Sequence, residues 1–174
     1  MFEKMQGIFT GRVSYTLSET TQTIVGVNEG RTYPAPYDSR HHLTTYATLK
    51  LNDKWSVASS FRYAAGRPVT IPTGAFNYLG TYFVTYTERN GYRVEDFHEL
   101  NLSFTWIPKP NKTRFRGSWN FSVMNVYNRK NVFSIYTEKQ TGYGGYVGEQ
   151  YGGLKTTKMY LYGILPMIGY EFRF

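Results

Sequence analysis

Cysteine is absent from this chain of 174 residues, which excludes a disulfide framework and a thiolate metal site. Long apolar runs are absent as well: no stretch approaches the roughly 18 residues of a membrane helix, so a helical membrane protein is excluded. The opening residues, MFEKMQGIFTG, have neither the apolar segment nor the small-residue cleavage site of a signal peptide. If the protein is exported, we therefore expect its export signal to lie outside this chain.

Acidic residues are few, with 12 Asp and Glu against 20 Lys and Arg, which gives a net charge of +8. The positive charges are scattered among aromatic residues, and the alternation is expected to place them on the strand face opposite the aromatic ones. The densest basic cluster runs from Lys109 to Arg116 and is predicted as a solvated turn. A basic RNA-binding sheet is therefore a weak interpretation, and no nucleic-acid partner is expected.

What the sequence does have is aromatic residues, 18% of the chain with 17 Tyr, and strict alternation of apolar and polar positions. In LNLSFTWIP, large apolar residues point one way and only Asn, Ser and Thr point the other. The small size of that polar face indicates that the apolar face meets something other than a compact core. The alternation predicts six strands: Phe9–Ser18, Leu43–Leu51, Trp55–Tyr63, Leu100–Pro108, Trp119–Asn128 (with the pattern lost at Met124 and Asn125) and Ile168–Phe174.

The predicted strands alternate between short and long connections. The short ones are Asn52–Lys54 and Pro108–Arg116, and the long ones run roughly over 19–39, 65–96 and 138–157. In an antiparallel meander this order places all short turns at one end and all long loops at the other. That asymmetry, with most strands about ten residues long, is typical of outer-membrane barrels.

Aromatic and charged residues fit the same interpretation. Two girdles of membrane-interface aromatics are expected, one at each end of the strands: Trp55, Trp106 and Trp119 near the short turns, and Tyr63, Phe97 and Tyr127 near the long loops. Charged residues that alternate with the apolar ones are predicted to face a lumen: Arg12, Lys50, Arg62, Glu171 and Arg173.

The expected fold is all-β, an antiparallel transmembrane β-barrel meander of about six long strands. Closure of a barrel takes about eight strands. Six strands would leave two bare edges in lipid, which supplies no hydrogen-bond partners. The chain is therefore predicted to be the C-terminal part of a larger barrel.

Several stretches, in this order, carry a resemblance over nearly the whole chain: YPAPYDSRHHL, GRPVTIP, ERNGYRVEDFHELNLSFTW, NVYNRKNVFSIY and the terminal YEFRF. Together they resemble the C-terminal part of TonB-dependent outer-membrane receptors. The closest subgroup is the one whose full-length members carry a carboxypeptidase-regulatory-like domain before the plug.

The resemblance implies a barrel of about 22 strands filled by a plug domain. Such receptors import scarce nutrients, namely iron chelates, cobalamin or glycans, with energy from a TonB complex that pulls on an N-terminal TonB box. Residues 1–174 contain neither plug nor TonB box, so they are expected to form the barrel wall and extracellular loops, without transport activity of their own. The implied location is the bacterial outer membrane, and the implied partners are its lipid, the remaining strands and plug, and TonB through the missing N-terminal part.

The resemblance also gives a role to the C-terminus. Many outer-membrane barrels end in an aromatic residue with aromatic or apolar residues at alternate positions before it, and the barrel assembly machinery reads that end. Tyr170, Phe172 and Phe174 match this signature, although a plain lipid-facing strand would look the same.

The long loops hold the remaining candidates. Loop residues that could contact a ligand are Tyr78, Tyr82 and Tyr86 in a predicted hairpin, and Tyr143, Tyr146 and Tyr151 in a Gly-rich loop. Asp38 and Arg40 are predicted to anchor the first long loop to the top of a strand by a salt bridge. The acidic cluster from Glu95 to Glu99 is interpreted as a second anchor, with cation or substrate contact as the alternative.

No enzyme, cofactor or metal site is predicted. His41 and His42 are adjacent in a strand and point to opposite faces, so they are poorly placed to chelate one metal. Nucleophile elbows, phosphate-binding loops and paired carboxylates are not found in the sequence.

Two rival functions stay open. One is a small self-standing or oligomeric outer-membrane pore, in which other copies supply the missing strands. The other is a soluble β-sandwich that binds carbohydrate through its Tyr-rich loops, and this rival predicts folding without detergent.

Overall fold

The computed structural model describes residues 1–79, 81–110, 116–139 and 154–173, without the side chains of Asn77, Tyr82 and Lys139. The described residues form antiparallel strands and one 3-10 turn at Asn28–Gly30. The strands are β1 (Phe2–Lys4), β2 (Phe9–Leu17), β3 (Thr21–Gln22), β4 (Tyr33–Pro34), β5 (His41–Lys50), β6 (Trp55–Ala64), β7 (Pro68–Val69), β8 (Pro72–Tyr78), β9 (Thr81–Tyr86), β10 (Tyr92–Arg93), β11 (Phe97–Trp106), β12 (Arg116–Met124), β13 (Val132–Lys139), β14 (Leu154–Tyr160) and β15 (Leu165–Arg173). None of the described segments is a helix with the length and apolarity needed to cross a membrane.

Seven strands form one sheet in the order β1-β2-β5-β6-β11-β12-β15, and every neighbouring pair is antiparallel. The six strands that the alternation predicts are the six long members of this sheet, so the all-β antiparallel prediction is confirmed. Strand β1, which the sequence analysis missed, adds a short edge beside β2. Among the described residues the sheet is open, with β1 and β15 as its two edges.

The register gives the sheet one apolar and one polar face. Residues that lie directly opposite each other on neighbouring antiparallel strands share a face. A typical apolar row joins Phe9, Leu49, Val57, Phe104 and Phe121 across five strands. The alternate rows carry small polar residues. In these rows, Asn120 of β12 donates to Ser103 Oγ (2.8 Å) and to Thr105 Oγ1 (3.1 Å) of the neighbouring strand β11.

The long connections hold strands of their own. Four two-stranded ribbons lie outside the sheet: β3-β4, β7-β10, β8-β9 and β13-β14. The hairpin predicted to hold Tyr78, Tyr82 and Tyr86 consists of β8 (Pro72–Tyr78) and β9 (Thr81–Tyr86). The third long loop was expected over 138–157, but β13 extends to Lys139 and β14 already begins at Leu154.

The sheet has no second layer over its apolar face. In the described part of the chain the buried apolar residues are Tyr33, Ala35 and Val94, and all three lie in the long connections. On the sheet itself, side chains as large as Ile168 remain 67% exposed. The buried core therefore lies at the loop end of the molecule, not against the sheet.

Asn125 explains why the alternation stops after Met124. Its backbone has a φ of 52°, and its side chain is 1% exposed. The side-chain amide donates to the carbonyl of Arg129 (2.8 Å), and its oxygen accepts the N–H of Arg129 (2.9 Å). Asn tolerates the left-handed conformation and bonds locally, so it ends β12 in a tight turn.

We expect Asn125→Gly to lower the free energy of unfolding by about 1–3 kcal/mol, because two part-buried backbone groups of Arg129 lose their partners. Asn125→Ala should cost about 1 kcal/mol more, since alanine adds backbone strain at positive φ. Urea unfolding of the protein refolded in detergent measures both values. Equal stability of the Ala and Gly variants would contradict the strain argument.

Candidate functional site

Three tryptophans form one row at the short-turn end of the sheet. Trp106 lies directly opposite both Trp55 and Trp119, and Tyr170 extends the row onto β15. The rings of Trp55 and Trp106 stack at 5.7 Å, and those of Trp119 and Tyr170 meet at 4.7 Å. The predicted tryptophans thus lie side by side across three strands, as a membrane-interface girdle requires.

A second aromatic row crosses the sheet at the loop end. Tyr63 lies opposite His98, and its hydroxyl donates to Asp96 Oδ2 (2.6 Å). The Tyr127 hydroxyl bonds His98 Nδ1 (2.7 Å). These rings combine an apolar body with a polar tip that has a partner on the loop side, as interfacial tyrosines do.

The spacing of the two rows suits a bilayer. Trp55 and Tyr63 are eight residues apart, which is roughly 26 Å along a strand. A strand tilted by about 40° would cover about 20 Å of membrane thickness, comparable to the apolar band of about 25 Å in outer-membrane barrels.

The sequence analysis placed Phe97 in an aromatic girdle of the apolar face, but Phe97 lies on the polar face. It is opposite Ala64, next to the apolar-face residue His98, and therefore shares the polar face with Arg62. The Arg62 guanidinium carbon lies 5.6 Å from the centre of the Phe97 ring. His98 thus occupies the girdle position expected for Phe97, and Phe97 holds a polar-face arginine by a cation–π contact.

The five charged residues predicted to face a lumen share one face. By register, Arg12, Lys50, Arg62, Glu171 and Arg173 all lie on the face of Asn101 and Asn120. Glu171 and Arg173 form an ion pair of 2.7 Å. In the C-terminal signature, Tyr170 and Phe172 lie on the apolar face and are about half exposed. Phe174 lies outside the described residues.

A chain of hydrogen bonds, here called the loop clamp, joins the first two long connections to the sheet; it comprises Thr20, Asp38, Gly66, Arg93 and Asp96. The Thr20 N–H donates to Asp38 Oδ1 (2.7 Å), and Arg93 Nη2 donates to Asp38 Oδ2 (2.5 Å). Arg93 Nη1 donates to the Gly66 carbonyl (2.9 Å), and the Gly66 N–H donates to Asp96 Oδ1 (2.8 Å). One continuous network thus fixes both loops over the strand ends.

Asp38 and Arg40, which were predicted to anchor the first loop through a salt bridge, each pair with a different residue. Asp38, which is 2% exposed, pairs with Arg93 of the second connection, 55 residues away in sequence. Arg40 pairs instead with Glu19, and both of these side chains are more than half exposed. Buried pairs depend far more on keeping both partners than exposed ones do, so Asp38 is the stronger anchor.

The acidic cluster connects the third long loop to the second. Glu95 forms an ion pair with Lys158 of β14 (2.5 Å), and the Asp96 carbonyl accepts a bond from Arg129 Nη2 (3.0 Å). Glu99, which is 3% exposed, accepts bonds from Asn101 (2.9 Å) and the Tyr162 hydroxyl (3.2 Å). These contacts fit the loop-anchor interpretation of the cluster.

Charge and hydrogen bonding hold the clamp carboxylates ionised. Burial raises the pKa of Asp38, but hydrogen bonds from Arg93 and Thr20 and the charges of Arg93 and Arg40 lower this pKa below its ordinary 3.8. The pKa of Asp96 is also lowered, first by the bond from the Tyr63 hydroxyl and then by that from the Gly66 N–H. Both groups lie in the connections beyond the strand ends.

The predicted ligand-loop tyrosines are described only in part. Tyr78 and Tyr86 are 63% and 62% exposed at the two ends of the β8-β9 hairpin. The side chain of Tyr82, and all of Tyr143, Tyr146 and Tyr151, lie outside the described residues. In the described ranges no cluster of three His, Cys, Asp or Glu side chains could hold a metal ion.

Comparison with protein-family models, with characterised proteins and with solved structures finds no match to this chain. The resemblance to TonB-dependent receptors therefore remains a prediction.

Gly66 is the tightest point of the clamp, because a Cβ there would lie 1.7 Å from the Val94 carbonyl oxygen. We expect Gly66→Ala to separate the loops and raise amide hydrogen exchange over 20–38 and 90–96, with the sheet left folded. Gly74→Ala is the control, since its Cβ would meet only the Thr85 hydroxyl at 3.3 Å. Unchanged exchange in Gly66→Ala would show that the loops are not held at this point.

Acid should loosen the clamp. Because the folded pKa values of Asp38 and Asp96 lie below 3.8, their contribution is fully present above that value and is lost as the pH falls through the folded pKa. We expect Asp38→Asn to destabilise the protein by about 1–3 kcal/mol at pH 7 and to reduce the loss of stability as the pH falls below 3.8. Urea midpoints across this range measure both effects. Arg40→Gln, the matched control, should cost less than about 1 kcal/mol, and a larger loss than in Asp38→Asn would refute this ranking.

Proposed function

We propose that residues 1–174 are the C-terminal part of the β-barrel of a TonB-dependent receptor in the bacterial outer membrane. In this role the chain forms wall, lumen lining and extracellular loops for active uptake of a scarce nutrient, an iron chelate, cobalamin or a glycan. It has no catalytic role, and transport requires the plug and TonB box of the full receptor.

The uncovered apolar face carries this proposal. A face with rings such as Phe9, Phe104 and Phe121 between 40% and 48% exposed cannot stay in water without association. The described residues provide no second layer that would cover it, which disfavours the soluble sandwich. Lipid covers such a face without any further protein, and the sheet then supplies the backbone hydrogen bonds that lipid cannot.

Two further features support a barrel wall over a membrane-bound patch. The opposite face carries small polar residues with the charges of Arg12, Arg62 and Glu171, which suits a water-filled or plugged lumen. In the described part of the chain, no strand pairs with the outer side of β1 or of β15, so a membrane-spanning sheet would need further strands there. The remaining strands of a larger barrel would pair with both edges.

The test is a pair of arginines at adjacent positions near the middle of β11. Leu102 lies on the apolar face opposite Val123, and Ser103 lies on the polar face opposite Ser122. We expect Leu102→Arg to cost about 2–4 kcal/mol in detergent-refolded protein, because the charge would enter the apolar layer. Ser103→Arg, the matched control, should cost less than half as much.

Refolding of the unchanged chain in plain buffer completes the test. The proposal expects β-structure by circular dichroism only in detergent, with no closed, heat-resistant species. A monomer that unfolds cooperatively in buffer, or equal costs of the two arginines, would overturn the membrane assignment. A discrete oligomer with ion conductance would favour the pore instead.

A further inference from the structure

A cavity of about 320 Å³ lies between the hairpin β8-β9 and the ribbon β13-β14, beyond the end of the main sheet. Its size is at the lower end of the range of about 300–1,000 Å³ for small-molecule sites. The wall combines apolar side chains, among them Ile71, Val84 and Ile135, with polar ones such as Ser134 and Thr137. Such a cavity suits a compact apolar group.

Arg67 is the one charged residue on the described wall of this cavity. It donates from Nη2 to the Phe133 carbonyl (3.0 Å), which orients the guanidinium, and no carboxylate of the described residues forms an ion pair with it. The nearby arginine of the loop clamp, Arg93, is already paired with Asp38. Arg67 is solvent-exposed, so its guanidinium can reach a ligand that enters the cavity from the surface. A guanidinium without a counter-ion among the described residues is complementary to a carboxylate.

A second, smaller cavity sets a limit on the ligand. Arg67 and Val132 also line this neighbouring space of about 280 Å³, and the buried Glu99 forms part of its wall. A negative group on the ligand would be repelled from Glu99, so it should stop at Arg67. The apolar body of the ligand would then lie in the first cavity.

We propose that the cavity between these hairpins binds a small free carboxylate with an apolar body, held by an ion pair to Arg67. A free solute fits better than a membrane lipid, because the cavity lies among the loops, past the aromatic row of Tyr63 and His98 that marks the end of the apolar face. This inference rests on the proposed function, since it names a ligand class for loops that we assign to the extracellular side.

Photo-crosslinking with 4-benzoylbenzoate tests the site in the full chain refolded in detergent, with the neutral 4-benzoylbenzamide as the matched probe. We expect mass spectrometry to find the anion on residues 71–94 and 132–139, labelled about tenfold more strongly than the amide. Arg67→Gln should abolish this difference. Arg89→Gln, in the same connection but not on the cavity wall, should preserve it.

Val84→Phe, which fills the cavity, should reduce labelling by both probes, and excess hexanoate should compete with the anion. Equal labelling by the two probes, or labels spread along the apolar face of the sheet, would overturn the inference. Competition by an anionic lysophospholipid without competition by hexanoate would assign the site to lipid and also overturn it. The substitutions Leu102→Arg and Ser103→Arg in β11 test the membrane assignment independently of the cavity. Failure of one proposal is therefore distinguishable from failure of the other.

Discussion

The structure depends on one constraint: a seven-stranded sheet presents large apolar residues on a face that no other part of the described chain covers. In a soluble protein such a face packs against a second layer, and burial of that area drives folding. Here the strand-to-strand hydrogen bonds satisfy the backbone, while the apolar face needs an apolar solvent. The bilayer that we propose would meet this need, and a lumen on the other side would suit the Asn, Ser and Thr of the opposite face.

Because the sheet has no core of its own, the buried residues lie at the loop end, and many of them are polar. Asp38, Asn90, Glu99 and Asn125 are each at most 7% exposed, and each has hydrogen-bond partners. Buried polar groups are costly unless they are satisfied, and a satisfied network fixes one arrangement of the chain. The loops are therefore positioned by specific bonds between residues far apart in sequence. A binding surface built from them would be preorganised.

The sequence predicted the long strands well because alternation over nine or ten residues is a strong local signal. It assigned Phe97 to the apolar-face girdle, although Phe97 lies three residues before Leu100 and therefore has the parity of the polar positions of β11. The pairing of Phe97 with Ala64 agrees with this parity. Contacts between different loops could not be predicted from local sequence patterns. The bond between Asp38 and Arg93 joins two loops, and no nearby pattern points from one residue to the other. The close approach at Gly66 likewise depends on Val94, which a single glycine in a sequence does not reveal.

The open edges and the clamped loops together limit what this chain does alone. Among the described residues no strand pairs with the outer side of β1 or β15, and the proposed membrane location would require further strands at both edges. The described parts of the loops, in contrast, are held by contacts within the chain, such as Thr20 to Asp38 and Glu95 to Lys158. In the proposed receptor, closure of the wall depends on further strands, while the described wall of the cavity beside Arg67 comes from this chain. We therefore expect ligand binding at this cavity to be separable from transport.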